Sequence, residues 1–156
     1  MTKVKLTHTK AMQVAYIEHR GSFSSIPWEE DIGKLYGYAK AHKLRPAMRP
    51  MGIYPDDPKK VPEERLRSEV ALPVRGPATP EGEIRVKALP ETDMATVKFR
   101  GPTSDISRVY TEVHAWIQAN GYVPAGAPME LYTKKPKVVG GRTELTAKIE
   151  IPVRRR

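Results

Sequence analysis

The sequence predicts an α+β domain made of two tandem βαββ modules with pseudo-twofold symmetry, their strands forming an antiparallel sheet that carries two main helices. Three observations predict it. First, the chain repeats itself. Ala15 to Gly21 aligns with Ala95 to Gly101 at an offset of 80. Pro46-Ala47, Pro50-Met51, Tyr54 and Pro58 fall on Pro124-Ala125, Pro128-Met129, Tyr132 and Pro136 at an offset of 78, and Leu66 to Val74 falls on Leu145 to Val153 at an offset of 79. Second, each copy holds a stripe of apolar residues at helical spacing. Third, a proline-bounded apolar strand follows each stripe. One helix on three short strands buries too little surface to be stable, so the two copies are expected to share a sheet or a core.

Residues 11 to 19 alternate in part, with Ala15, Ile17 and His19 on one face and Tyr16 and Glu18 on the other, until Arg20-Gly21 ends the strand. Ser24-Ser25 offer helix caps and Pro27 suits a first turn; Ile32, Leu35, Tyr36 and Ala39 then fall at helical spacing. A strand at Met51 to Tyr54 and a closing strand at Leu66 to Val74 complete the first copy. Residues 75 to 90, punctuated by Gly76-Pro77, Pro80-Glu81-Gly82 and Pro90, read as a linker with a short strand at Ile84 to Ala88. In the second copy, Thr103 or Ser104 can cap a helix whose stripe is Ile106, Val109, Tyr110, Val113 and Ile117, and Asn120-Gly121 stops it. Strands at Met129 to Tyr132 and Glu144 to Val153 follow. The expected organisation is one domain over 1–156, with repeats at about 11–74 and 91–153.

Composition bounds the function. No cysteine means no disulfide framework and no thiolate chemistry, in keeping with a reducing cytosol. The amino terminus lacks a signal-peptide core and no apolar run is long enough to span a bilayer, so a soluble cytoplasmic protein with no membrane contact is expected. A net charge of +9 points towards a polyanionic partner, but the charge is scattered apart from Lys134-Lys135-Pro136-Lys137 and Arg154-Arg155-Arg156. No helix-turn-helix, zinc-ligand spacing or aromatic-basic RNA motif accompanies it. A solvated basic surface without sequence-specific nucleic-acid recognition is the expectation.

Met129-Glu130-Leu131-Tyr132 is the strand that offers a candidate site. Successive strand side chains point to opposite faces, so Glu130 and Tyr132 share one face and Met129 and Leu131 the other. If Met129 and Leu131 pack under a helix, Glu130 and Tyr132 face away from that core. The corresponding residues of the first copy are Gly52 and Tyr54. A duplication with a ligand groove between the repeats would place two tyrosines about the pseudo-axis, a carboxylate on one side and a glycine that frees volume on the other. Trp116, adjacent to the second stripe, and Tyr16 and Tyr38 are further candidates for the aromatic walls. A strand glutamate is usually solvated or paired with one of the many cations, and tyrosines are often half-buried sheet residues, so spacing alone leaves these roles open.

Other chemistry has little support. His8, His19, His42 and His114 show no paired metal-ligand spacing, and His19 sits where the second copy has Phe99, which favours packing. Asp56-Asp57 and Glu63-Glu64 read as loop charges, and Gly140-Gly141 as a turn. There is no phosphate-binding loop or nucleotide fingerprint, so neither a cofactor nor a metal is expected.

Taken together, Pro80-Glu81-Gly82, Leu89-Pro90, the Ala95 to Gly101 strand with its Arg-Gly turn, Val113 to Gly121 with Trp116, Pro128-Met129-Glu130-Leu131-Tyr132 through Pro136, and Ile149-Glu150-Ile151-Pro152-Val153 resemble the GyrI-like superfamily. That superfamily is the fold of gyrase-inhibitory proteins and of the effector-binding domains of many bacterial transcription activators. The resemblance covers almost the whole chain and implies that Glu130 is the acid of a small-molecule pocket. It also implies three functional classes. In the first, an aromatic-walled groove takes amphipathic, cationic or aromatic molecules by stacking, cation–π attraction and one ion pair, as a free-standing multidrug sensor linked to transcription regulation or xenobiotic protection. In the second, Glu130 is the general base of a cyclopropanoid hydrolase and Tyr132 helps position substrate or water. The third is a modulator of DNA gyrase, with gyrase as partner.

Overall fold

In the computed structural model, which describes residues 2–156, the chain runs through β1 (Lys5–Thr9), β2 (Met12–Arg20), α1 (Trp28–Ala41), β3 (Arg45–Pro46), β4 (Met51–Ile53), β5 (Arg67–Arg75) and β6 (Arg85–Leu89). It continues through β7 (Thr92–Pro102), α2 (Ile106–Ala119), β8 (Tyr122–Pro124), β9 (Met129–Tyr132), β10 (Lys137–Val139) and β11 (Arg142–Arg155). This is the expected α+β class, with antiparallel strands and two main helices. Two compact units divide the chain: unit 1 comprises the residues up to Thr9 together with Thr92–Arg156, and unit 2 is Lys10–Glu91.

In unit 2 the strand order is β6-β2-β5-β4, with β3 also paired to β5. In unit 1 it is β1-β7-β11-β9, with β8 and β10 also paired to β11. The orders correspond strand for strand, and so do the registers under the sequence offsets: Val14↔Pro73 becomes Met94↔Pro152, Met51↔Ala71 becomes Met129↔Glu150, and Pro46↔Val74 becomes Pro124↔Val153. The edge strands differ from expectation. β1 pairs with β7 (Lys5↔Thr96) and β6 pairs with β2 (Tyr16↔Arg85), so the strand preceding each module is used by the other one. Residues 75–90 are therefore part of unit 2 rather than a linker, although the short strand expected at Ile84 to Ala88 is present as β6. β1 carries no strand signal in the sequence because Lys5, Leu6 and His8 are exposed and only Thr7 and Thr9 are partly covered.

Each unit keeps an apolar cluster under its helix. Ala15, Ile17, Val70, Leu72 and Val74 pack against Leu35, Tyr38 and Ala39 in unit 2. Ala95, Val97, Phe99, Ile149, Ile151 and Val153 pack against Val109, Val113 and Ile117 in unit 1. The stripe of α1 is rotated from the expected one: Tyr36 is 40% exposed, and Asp31 and Tyr38 are buried in its place. The helix starts also shift. Ser22, not Ser24 or Ser25, caps a short 3-10 turn at Phe23–Ser25 and α1 begins after Pro27; Thr103–Asp105 form the matching turn before α2, which has no side-chain cap.

The helix exits match more closely. Leu44 N–H donates to the Ala39 carbonyl (2.8 Å) and Lys43 N–H to that of Lys40 (3.2 Å), a Schellman arrangement that puts Lys43 in the left-handed region at φ 57°. Its counterpart Gly121 has φ 82°, and its N–H donates to the Gln118 carbonyl. Gly140 and Gly141, with φ 55° and 76°, make the expected two-residue turn between β10 and β11.

Candidate functional site

β9 is only four residues long, and its pairing with β11 decides where its side chains go. Glu130 lies opposite Ile149 and Tyr132 opposite Ala147. Ile149 belongs to the cluster beneath α2, so Glu130 points to the helix side of the sheet. The two faces are thus the reverse of the conditional expectation: Met129 and Leu131, both buried, occupy the face away from α2.

On the helix side Glu130 is 7% exposed. The Tyr110 hydroxyl donates to its Oε2 at 2.7 Å and the Tyr132 hydroxyl to its Oε1 at 3.0 Å. No Lys, Arg or His lies within ion-pairing distance of the carboxylate among the described residues. Burial pushes the Glu130 carboxyl above its ordinary value of 4.5; the two tyrosine hydrogen bonds, first that of Tyr110, pull it back in part. A buried carboxylate that is hydrogen-bonded but has no counter-cation can do two things chemically. It can accept a cation, or it can accept a proton from a bound water.

Tyr110 is the residue that sequence reasoning missed. It counts as one more apolar member of the α2 stripe, and it does pack on the unit 1 cluster, but its position beside Val109 lets the hydroxyl reach across to β9. The tyrosine hydroxyl within an otherwise aliphatic stripe is the signal that could have found it.

The other candidates are placed as follows. Trp116 stacks on Tyr122, centroids 6.3 Å apart and planes within 8°, and lies six residues beyond Tyr110, about 9 Å along the helix axis. Tyr54 and Gly52 belong to unit 2. A Cβ on Gly52 would come within 2.5 Å of the Tyr54 hydroxyl and 2.9 Å of the Trp28 ring, so the volume that this glycine frees is filled by those two side chains. Phe23 meets the Tyr54 ring edge-on at 5.0 Å. Tyr16 lies under Lys87, whose Nζ is 4.4 Å from the ring centre and 2.6 Å from the buried Glu69 carboxylate. Tyr38 is buried and donates to the Thr79 carbonyl at 2.5 Å.

His19 is not simply packed, as its Phe99 counterpart suggested. Its Nε2 bonds the carboxylate of Asp31, which is 1% exposed. Asp56 is likewise engaged, accepting two bonds from the Arg67 guanidinium at 3.0 and 2.8 Å. Among the described residues no cluster of three metal-ligating side chains occurs, and no helix is long and apolar enough to cross a membrane.

Comparison with known proteins gives this geometry its context. The family profile of the GyrI-like small molecule binding domain matches residues 2–154. The crystallised C-terminal domain of EcmrR is 21% identical with a TM-score of 0.74, over 100% of this chain and 99% of that one. In the EcmrR–DNA complex the TM-score is 0.80 at 20% identity, over 99% of this chain, which spans 58% of the longer EcmrR chain. A hydrolase from Listeria innocua is 13% identical with a TM-score of 0.71, over 97% of this chain and 92% of that one. SAV2435, bound to tetraphenylphosphonium, is 12% identical with a TM-score of 0.56, over 97% and 94%. At these identities the likeness is one of fold. No curated protein sequence matches the chain.

Proposed function

We propose, on the premise that this chain belongs to the GyrI-like small molecule binding domain family, that unit 1 takes up amphipathic cations, with Glu130 as their counter-charge. The observation that carries the reading is the Glu130 carboxylate: buried, held by Tyr110 and Tyr132, and without a cation of its own. A lipophilic cation entering beside it gains an ion pair in a poorly solvated setting, and the two phenol rings add cation–π attraction. That the structural neighbour SAV2435 is bound to tetraphenylphosphonium supports the ligand class, and the likeness to EcmrR, solved in complex with DNA, supports a link to transcription regulation.

The test is calorimetric titration with tetraphenylphosphonium. Glu130→Gln keeps the shape and most of the hydrogen bonding but removes the charge, so it should weaken binding by about 1–3 kcal/mol, or roughly 5- to 150-fold. Equal affinity in parent and variant would remove the proposal.

A second reading is supported by the raised pKa of Glu130, because a more basic carboxylate is a better general base near neutral pH. The step would be hydrolytic ring opening of a cyclopropanoid. Glu130 takes a proton from water as the oxygen bonds to a ring carbon; the electrons of the breaking carbon–carbon bond move into an electron-withdrawing group of the substrate, which is then protonated. Mass spectrometry after incubation with a cyclopropane-bearing natural product separates the readings: a water adduct made by the parent but not by Glu130→Gln identifies the hydrolase.

A further inference from the structure

The face of the unit 1 sheet that points away from α2 holds a feature that the Glu130 site leaves unused. Lys98 of β7 and Lys148 of β11 lie directly opposite one another. In an antiparallel ladder such partners have their β-carbons roughly 5 Å apart, and like charges so placed are destabilising. Lys5 of β1 pairs with Thr96, which sets it diagonally next to Lys98. These lysines line a cleft of about 540 Å³ together with Lys3, Arg100 and Arg108, against a single lining carboxylate, Asp105. Arg108 is occupied by Glu112 at 2.9 Å and Asp105 at 3.9 Å. Lys3, Lys5, Lys98, Arg100 and Lys148 have no acidic partner within 4 Å among the described residues.

Two ordinary explanations cover only part of this. Cations on an edge strand block sheet-to-sheet pairing, and that serves for Lys5 and for the stretch of β7 beyond Thr96, which β1 does not reach. It does not serve for Lys148, because β11 is an interior strand paired to both β7 and β9. Simple solvation serves for isolated lysines, but here five unneutralised cations converge on one concavity of a size that suits a small ligand. Thr7 and Thr96, whose hydroxyls bond each other at 2.8 Å, also line it; the Thr96 hydroxyl donates in addition to the buried Glu150 carboxylate at 3.4 Å, which leaves Thr7 as the neutral hydrogen-bonding group of the cleft.

We infer that this cleft is an anion site for a small molecule carrying several linked phosphates, the Lys98–Lys148 pair being bridged by its oxygens. A single anion between the two ammonium groups converts their repulsion into two charge-assisted hydrogen bonds. The cleft reaches round to Arg108 and Val109 of α2, but Glu130 is not among the residues that line it, and the inference does not depend on the function proposed for Glu130.

Calorimetric titration with inorganic tripolyphosphate, ATP and ADP tests the assignment. The double variant Lys98→Gln, Lys148→Gln should lose tripolyphosphate affinity by about tenfold or more, whereas Lys134→Gln, Lys135→Gln, which alters the loop lysines, should stay within about twofold of the parent. Unchanged tetraphenylphosphonium binding and a thermal midpoint no lower than the parent's in the first variant show that the fold is intact. ATP binding more tightly than tripolyphosphate assigns the site to a nucleotide; the reverse assigns it to the free oligophosphate. No tripolyphosphate or ATP binding, or equal loss in both double variants, overturns the inference. So does a 20-base-pair duplex that binds through Lys98 and Lys148 more tightly than any of the three small anions, because the surface would then be a nucleic-acid interface.

Discussion

Glu130 and the Asp31–His19 pair are the two places where a single side chain decides most. The folded Glu130 carboxyl holds its proton more tightly than the unfolded chain does, because burial pushes its pKa above 4.5. The stability that the protonated group contributes is therefore complete below about pH 4.5 and is lost as pH rises through the folded value. Denaturation at a series of pH values should show Glu130→Gln gaining on the parent over that window, and the advantage should persist to neutral pH. Tetraphenylphosphonium needs the ionised form, so its affinity for the parent should rise over the same window while that of Glu130→Gln stays flat. Tyr110→Phe removes the stronger of the two bonds that pull the pKa down and should move the window upward. Asp31 and His19 stand where unit 1 has Val109 and Phe99, both in its apolar cluster. His19→Phe alone strands a buried carboxylate and should cost about 3–5 kcal/mol, whereas His19→Phe with Asp31→Val copies the other unit and should recover most of it. Chemical denaturation of the parent and the two variants checks this; equal losses in the single and double variants would show that the His19–Asp31 hydrogen bond is not what the site depends on.

The helix exits turn the internal comparison into a measurement on an element. The two exits share the bond from the left-handed residue back to the helix, Lys43 N–H to Lys40 and Gly121 N–H to Gln118, but α1 places Lys43 at φ 57° where α2 places Gly121 at φ 82°. A left-handed lysine costs about 1 kcal/mol relative to glycine, and Lys43 is exposed, so Lys43→Gly should stabilise the chain by up to that amount, read as a higher denaturant midpoint with unchanged slope. The same elements show what was legible. α2 is an aliphatic stripe with an Asn-Gly stop, and it forms where the spacing puts it. α1 was placed correctly but turned about its axis, because its buried face includes Asp31, and a charge is buried there only through a strand histidine twelve residues earlier in the chain. β1 was not legible at all: its partner β7 begins more than eighty residues later, and its own side chains are mostly exposed.

At the scale of the whole chain, what the sequence made legible was repetition and the identity of the central acid; what it withheld was sidedness. Strand alternation groups Glu130 with Tyr132 but cannot say which face meets the helix. That depends on the register against β11, set by residues near position 149. Tyr110 was hidden for the same reason, since its hydroxyl finds a partner only once that face is known. The net charge of +9 belongs to this scale too. The charge is scattered apart from Lys134-Lys135-Pro136-Lys137 and Arg154-Arg155-Arg156, and the sequence carries no helix-turn-helix or other base-reading motif, so binding to duplex DNA should be weak, indifferent to sequence and steeply lost with salt. Titrations of two unrelated duplexes at 50 and 200 mM salt check this, and discrimination between them at the higher salt would contradict it.

The crossed use of the leading strands governs how the chain can assemble. Unit 2 is one uninterrupted stretch, whereas unit 1 joins β1 to β7 across it, so to unit 1 the whole of unit 2 is an 82-residue insertion. Closing a flexible loop of that length is entropically expensive, and each halving of its effective length returns about 0.6 kcal/mol. Once β2 and β6 have zipped, Met12 is paired to Leu89 and the insertion shrinks to a few effective residues. Some four halvings, about 2–3 kcal/mol, are thereby removed from the cost of seating β1 on β7. The chain should therefore fold from its middle outward, and in native-state hydrogen exchange the amides of β1 should open before those of β2 and β5.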